Sequence, residues 1–589
     1  MLIKRRSHAS HSTHHRHHRR SSMASSSPDP HPNTKNLRDH LLAALAGHPG
    51  TRTFHLHVLV TAPRKSNALF PFATPRPPRA YLHDVLVLLS EQSEATATAL
   101  AKTSSTSSNA NASQTGATSA TTTTTSKSAT STTKNTPDTP DPPRILVSAI
   151  EVSVYHLPAT SSAVLYVSKV DSTGQASAPS PTGTLVRALL GYYADPRTRP
   201  IDARHLWVQL FARAQAQYLF PNSQEWEGKK PLGDTKLCAW WKRVLGKVVA
   251  DVEKAHEVKV ADAGAGKDEE KGKEKEKIAT RMYYVLPGYT QFEADNALRI
   301  AAPPSSSQPE TSLRWEYGHP YSQKEIALPC PKDETTKNLG FYIPYFDDCP
   351  KSRFLDEIAH TTDGEIRSPQ RKRARTMTSE EEKEKEKEKA EEKKEDNKPL
   401  GELGKVSANE FWERMSFRQE CVAGAVTGFF AVVVSVPASM MRKATASPLA
   451  PQPGQVSSQL NKRVMTTLTT GVEFSSVERA VRATETVESA IRGLCEGIAA
   501  ARAPPDDGRR TPERDVGRHL LAPPSTPKMR RVALPEVSPN PFPEPETSLE
   551  TYEAFVYGRV STRNAVEAVK TQGGGGHVTV LAVRRKKRI

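Results

Sequence analysis

Cysteine is scarce in this chain. The five present, Cys238, Cys330, Cys349, Cys421 and Cys495, are scattered with no CxxC pair. That pattern argues against a disulfide framework or a structural zinc site and suits a reducing compartment. No GxGxxG or P-loop is present, so nucleotide hydrolysis has no support. No RNA-binding or helix-turn-helix signature and no internal repeat are found. A secretory signal is also missing. Residues 1–26 carry no acid but lack the apolar face of a transit-peptide helix. Cys421–Met441 is uncharged and of membrane-spanning length. Gly424, Thr427, Gly428, Ser435 and Pro437 interrupt it, so it reads as a buried core helix rather than a span.

Hydrophobic residues are only 36% of 589 positions, while proline numbers 46 and Ser/Thr tracts are long. The expectation is one core of roughly 300–350 residues interrupted by disordered insertions. A formal charge of +17 points toward acidic partners, namely nucleic acid, an anionic cofactor or an acidic chaperone.

The leader 1–35 is basic and rich in His and Ser; His14–His18 would bind metal only adventitiously, and Met23 is an alternative start. Thr53–Val60 alternates like a half-buried strand, and Leu82–Glu91 reads as a short helix. Residues 95–143 lack an apolar face and read as an insertion. Ile145–Leu157 and Ala163–Val170 form a predicted hairpin around PATSS. A helix follows from about Thr184. Asp202 is placed as the cap of another, in which Leu206 with Leu210 and Trp207 with Phe211 follow helical spacing. Asp234 precedes an amphipathic helix carrying Leu237, Trp241, Val244, Val248 and Val252.

Residues 261–277 and 359–404 are charged insertions, the latter holding the basic cluster Arg371–Arg375 and the Glu/Lys run Glu380–Lys398. Ser407 with Glu410, and Ser475 with Glu478, form capping-box patterns before two further helices. Residues 502–550 are Pro-rich, and the chain ends in a possible strand, Val578–Val583, and a basic tail, Arg584–Arg588. The fold class is α+β: a central mixed sheet covered by helices, with long disordered insertions and tails. Residues 36–589 are read as a single domain.

Its focus is Gly340–Ile358, GFYIPYFDDCPKSRFLDEI. Phe341, Tyr342, Tyr345, Phe346 and Phe354 anchor a packed segment, with Asp347 and Asp348 at a turn closed by Pro350. Adjacent acids beside aromatic walls suit a site that holds a cation and takes its proton; burial and mutual repulsion would raise their pKa. A polar turn capping a core strand is the plainer reading of the same residues.

This stretch resembles the corresponding segment of the fungal histone acetyltransferases of the regulator-of-Ty-transposition family. QYLFPNS at Gln217–Ser223, CAWWKRVL at Cys238–Leu245 and FWERMSFRQE at Phe411–Glu420 match the same family in order. The resemblance implies the distant architecture of the CREB-binding-protein acetyltransferases, acetyl-coenzyme A as co-substrate and no metal. It also implies a nuclear enzyme acting on histone H3 with its core-histone partner, together with chaperones of the anti-silencing and nucleosome-assembly types. The implied setting is replication-coupled chromatin assembly and genome stability, with neither a membrane nor a specific nucleic-acid site.

Residue by residue, the resemblance assigns Val170, Asp171 and Ser172 to a cofactor-contacting strand end. Gly183, Thr184, Leu185, Val186 and Arg187 fall in a phosphate-side segment, and Phe211, Arg213 and Gln215 in a helix flanking the pantetheine arm. Lys230, Pro231 and Leu232 form a further cofactor loop, and Trp240 lies beside the cofactor. Tyr218 and Trp241 fall at the lysine tunnel, Asp347 and Asp348 in the acidic pair, and Lys351 at a self-acetylated lysine. Gly183 stands where a basic residue occurs in the family, and Pro231 also departs from its pattern. Cys349 occupies the last position of the acidic run, so the acids either persist one residue earlier or one is lost. A non-catalytic chromatin adaptor with the same fold is the alternative.

Overall fold

The computed structural model describes residues 36–73, 79–93, 143–262, 278–302, 314–330, 338–362, 365–366, 401–418, 421, 425–441, 447–502, 542–545 and 547–565. The leader 1–35, the bulk of the spans 95–143, 261–277, 359–404 and 502–550, and the segments Arg371–Arg375, Glu380–Lys398, Val578–Val583 and Arg584–Arg588 lie outside the described residues.

Helix α1 (Leu37–Ala46) starts on Asn36, whose side chain accepts from Asp39 N. Then come β1 (Gly50–Val60), β2 (Arg64–Ser66), β3 (Ala80–Gln92), β4 (Ile145–Leu157), β5 (Ser162–Ser172), α2 (Thr182–Ala194) and β6 (His205–Ala212). They are followed by α3 (Asp234–Asp262), β7 (Ala279–Val285), α4 (Gln291–Ala301), β8 (Trp315–Tyr317), α5 (Pro350–His360), and the short pair β9 (Thr361–Thr362) and β10 (Glu365–Ile366). The last elements are α6 (Ala408–Met415), β11 (Gly428–Ser435), α7 (Ser458–Thr470), α8 (Val477–Arg502) and β12 (Tyr557–Asn564).

Among the described residues, ten strands join in one mixed sheet in the order β12-β1-β3-β4-β5-β6-β11-β7-β8, with β2 on β3. β5–β6 and β7–β8 are parallel and the other pairs antiparallel. Helices cover both faces. On one lie α1, α2, α3, α4, α7 and α8, packed through residues such as Leu41, Leu189, Val248, Leu298, Val464 and Ile491. On the other lie α5, α6 and the aromatic stretch Leu339–Phe346, which buries Phe341, Ile343 and Phe346 against Trp207 and Val433. The α+β class with a helix-covered mixed sheet is therefore what the chain adopts. The hairpin between β4 and β5 and the helix at Asp234 also form as the sequence indicates.

Three segments read as helices are strands. Leu82–Glu91 lies in β3, the segment after Asp202 is β6, and the apolar core of Cys421–Met441 is β11. All three are interior strands. β6 sends Leu206, Val208, Leu210 and Ala212 into one layer and Trp207 into the other, and all eight residues of β11 are buried. A strand buried on both faces loses its alternation and reads as a continuous apolar run. No helix among the described residues is long and apolar enough to cross a membrane. The cap of α8 also sits one residue later than Ser475: Ser476 Oγ accepts from Arg479 N at 3.3 Å.

Candidate active site

The parallel pair β5–β6 separates at one end. Its register runs from Ser162–His205 to Val167–Leu210, whereas β5 continues to Ser172 and β6 to Ala212. The cause is a bulge: Val152 pairs with Val167 and Glu151 with Lys169, which leaves Ser168 extra and turns the rest of β5 aside. The parted ends form a cleft with Val170–Ser172 on one lip and Phe211–Arg213 on the other. Such ends leave main-chain amides for an extended ligand.

Asp171 organises this cleft. Its Oδ2 accepts from Tyr218 N, Leu219 N and Phe220 N at 2.7, 2.8 and 3.2 Å. Its Oδ1 accepts from Lys229 Nζ at 3.0 Å, and both side chains of this pair are 5% exposed. One carboxylate thus fixes two loops. Lys229 also donates to Ser223 Oγ, 2.8 Å away. Gly174, at φ +76, passes so close to Lys229 that a Cβ would lie 2.6 Å from its Cα; only glycine permits the approach. The Tyr218 hydroxyl donates to Arg213 O, and burial pushes that phenol up to about 12. Across the cleft's helical side, Gly183 in the first turn of α2 leaves ordinary contact space beside the Trp240 ring, and Trp240 packs edge-on against Trp241.

Phe211 also belongs to a second feature, a pocket on the opposite face of the sheet, with about 370 Å³ of empty space partly continuous with solvent. Its floor follows one row across the strands: Tyr166 opposite Gln209, Gln209 opposite Ala431, and Ala431 opposite Tyr283. Ala431 supplies the small side chain over which the space opens. Cys349, Lys351, Tyr321, His319 and Trp412 form the wall. Lys351 is buried, with Nζ 2.9 Å from Gln209 Oε1 and 4.4 Å from the centre of the Phe346 ring. Desolvation lowers its pKa to about 8, a shift opposed by the neighbouring Cys349. Burial pushes the Cys349 thiol up, against the pull of Lys351. Tyr166 stacks on Phe346 with ring centres 3.9 Å apart, and burial raises its phenol strongly. Tyr283 Oη and Trp412 Nε1 are buried with no protein partner among the described residues.

The sequence profile of the histone acetyltransferase KAT11-type domain matches residues 196–490, half of the chain. The chain belongs to this family. Among relatives, the histone acetyltransferase rtt109 of Aspergillus flavus is 32% identical over 305 residues, covering 50% of this chain and 46% of the relative. Rtt109 of Schizosaccharomyces pombe is 26% identical over 267 residues, covering 45% of this chain and 51% of the relative. The chain thus spans about half the length of the curated relatives it matches. The crystal structure of Rtt109 from Aspergillus fumigatus superposes with a TM-score of 0.50 at 21% identity, covering 89% of this chain and all of that one, a likeness of fold.

Within this KAT11-type fold the residues singled out from sequence fall into three sets. Val170, Asp171, Ser172, Phe211, Arg213 and Tyr218 gather at the parted strands, and Gly183 stands against Trp240. Lys230, Pro231 and Leu232 lie exposed just after Lys229, and Gln215 is exposed beyond β6. Thr184 Oγ1 is 3.2 Å from His48 Nδ1. A second set departs from expectation. Leu185 and Val186 are core residues of α2, with only main chain left to offer a ligand, and exposed Arg187 pairs with Asp251 at 2.9 Å. Trp241 is 5% exposed in the helical layer and does not line the pocket that holds Lys351. Phe211 lies on a strand, not a helix, and Gln215 follows that strand.

The third set is the acidic turn. Asp347 and Asp348 are exposed, and Asp348 adopts φ +61, a left-handed conformation that Asp tolerates better than most residues. That turn sends Cys349 inward to 1% exposure. The desolvation anticipated for the acidic pair therefore acts on Cys349 and Lys351 instead. Tyr166, Gln209, Tyr283, Ala431 and Trp412 join the pocket without a role assigned from sequence; Gln209 is marked there as the one polar side chain within LWVQLFA, and Trp412 by its place in FWERMSFRQE.

Proposed function

We propose that the chain transfers the acetyl group of acetyl-coenzyme A to a lysine of histone H3. The histone would be held with its core-histone partner by chaperones of the anti-silencing and nucleosome-assembly types, in the nucleus during replication-coupled chromatin assembly. The observation that carries this reading is Phe211, which stands both on the lip of the cleft between β5 and β6 and in the wall of the lysine-containing pocket. A thioester bound along the cleft would thus end beside an aromatic chamber.

The groups present fit acetyl-coenzyme A. The parted strand ends offer main-chain partners for its amides, Gln217 Oε1 is buried with no partner among the described residues, and Lys230 and Arg213 bring positive charge near the cleft. Lys229 is committed to Asp171 and is not free for phosphate. A substrate lysine, with an ordinary pKa of about 10.4, must shed its proton before attack. Aromatic walls disfavour its ammonium form, and Asp347 or Asp348, exposed on the turn beside Tyr155 and Tyr166, would draw in the cation and accept the proton. Lys351, buried with a lowered pKa, is chemically suited to be acetylated itself.

One observation favours a second reading, that of a catalytically impaired adaptor: the buried acidic position of the turn is occupied by Cys349. The two separate in one experiment. Purified chain is incubated with acetyl-coenzyme A and either free or chaperone-bound histone, and acetyl-lysines are mapped by mass spectrometry. Transfer to chaperone-bound histone H3, faster than to free histone, supports the enzyme; incorporation no faster than without protein, with every chaperone tried, supports the adaptor.

A further inference from the structure

A buried arginine lies behind the loop that leads from β5 to α2. Arg52, in β1, is 4% exposed, and its side chain pairs with that of Glu91 in β3 at 3.2 Å. Its guanidinium is spent almost entirely on backbone. Nη1 donates to Ser177 O at 2.7 Å and Pro179 O at 3.3 Å, while Nη2 donates to Ala178 O and Pro49 O, both at 2.9 Å. Glu91 Oε1 accepts from Ser177 N at 3.0 Å. His48 completes the clamp: Nε2 donates to Pro179 O at 3.0 Å, so Nδ1 is the acceptor for the Thr184 hydroxyl. Gly50, at φ +103, leaves room for the guanidinium, because a Cβ there would fall 2.6 Å from Nη2.

The loop so gripped, Ser177–Pro179, joins the Asp171 end of β5 to the first turn of α2, where Gly183 faces Trp240. The sheet's last strand braces the clamp in turn. Thr562 donates to Gly50 O and Asn564 Nδ2 to His48 O, both at 2.9 Å. We infer that Arg52, locked by Glu91, is a positioning residue for acetyl-coenzyme A, holding the Ser177–Pro179 loop and thereby the Gly183 turn at the cofactor cleft. This rests on the acetyltransferase reading above. The two terminal nitrogens of one planar guanidinium face four carbonyls and a carboxylate at once, and lysine, a point charge with a single nitrogen, cannot replace them. A buried ion pair is a poor source of stability, and here both partners are engaged by the Ser177–Pro179 loop.

The test compares the full chain with R52K and E91Q. It reads thermal melting, the dissociation constant for acetyl-coenzyme A by titration calorimetry, and separate KM values for acetyl-coenzyme A and histone. The expected result is a folded R52K with affinity for acetyl-coenzyme A weakened about tenfold, its KM raised to match, and kcat and histone KM nearly unchanged. Should R52K fail to fold, the isosteric E91Q, which removes the countercharge but keeps an acceptor for Ser177 N, decides on the same readings. Unchanged acetyl-coenzyme A affinity and KM in the folded variant overturn the inference. No binding by the unsubstituted chain overturns the acetyltransferase reading instead, so the two failures are distinct.

Discussion

Lys351 Nζ stands 2.9 Å from Oε1 of Gln209, joining the first turn of α5 to the middle of a central strand beneath the pocket. The lysine is buried, and desolvation lowers its pKa to about 8. Below that pH the folded state must hold a charge that the unfolded chain solvates freely. Between about 8 and the ordinary value near 10.4 the unfolded state binds the extra proton, so stability rises with pH across that window, by about 3 kcal/mol in full. Denaturant melts of the parent between pH 7 and 10.5 should show this rise relative to Lys351→Met, in which it is absent. Parallel curves would mean that Lys351 is not desolvated.

Gln209→Leu should cost roughly 1–3 kcal/mol, because the buried Lys351 loses an acceptor. Adding Lys351→Met to it should return most of that loss, since two apolar side chains then meet where two polar ones did. A double-mutant cycle in urea measures the coupling; additive losses would show that the contact contributes nothing.

Asp171→Asn leaves Lys229 charged and buried without its counterion, so a loss of about 3–5 kcal/mol is expected. Asn still offers an oxygen to the amides of Tyr218, Leu219 and Phe220, so Asp171→Asn with Lys229→Met should recover part of the stability. Thermal melts of the parent and the two variants at pH 7 check this. A single variant as stable as the parent would place the pair in water.

Cys349 sits at the N-cap of α5 and makes no capping bond. Cys349→Asp would supply a cap acceptor while burying a carboxylate, and direct transfer predicts an acetylation rate unchanged or raised. Asp348→Asn should slow it by roughly 10²–10⁴-fold, the range for a lost acid–base group. Loss of activity in Cys349→Asp, with an acetyl-thioester on Cys349 of the parent, would reveal a covalent route through the thiol instead.

Local sequence determined the elements whose signals are local. The strand at Thr53–Val60, the PATSS hairpin, the helix from Asp234 and the cap at Ser407 each depend on neighbours within a few positions, and each is found, although the strand is buried on both faces and not half-buried. The ordered matches around Tyr218, Trp241, Asp348 and Phe411 point to the histone acetyltransferases of the regulator-of-Ty-transposition family for the same reason, because contiguous stretches carry their own pattern. Tertiary structure alone decided that β3, β6 and β11 are strands, since layers on both faces erase the alternation that would have marked them. It also decided which groups leave water. Asp347, Asp348 and Cys349 are adjacent in sequence, yet a left-handed residue turns the thiol inward and leaves both carboxylates exposed. Desolvation depends on what packs against a side chain, and Lys351 is buried by Phe346 and Gln209, the latter 142 residues away in the chain.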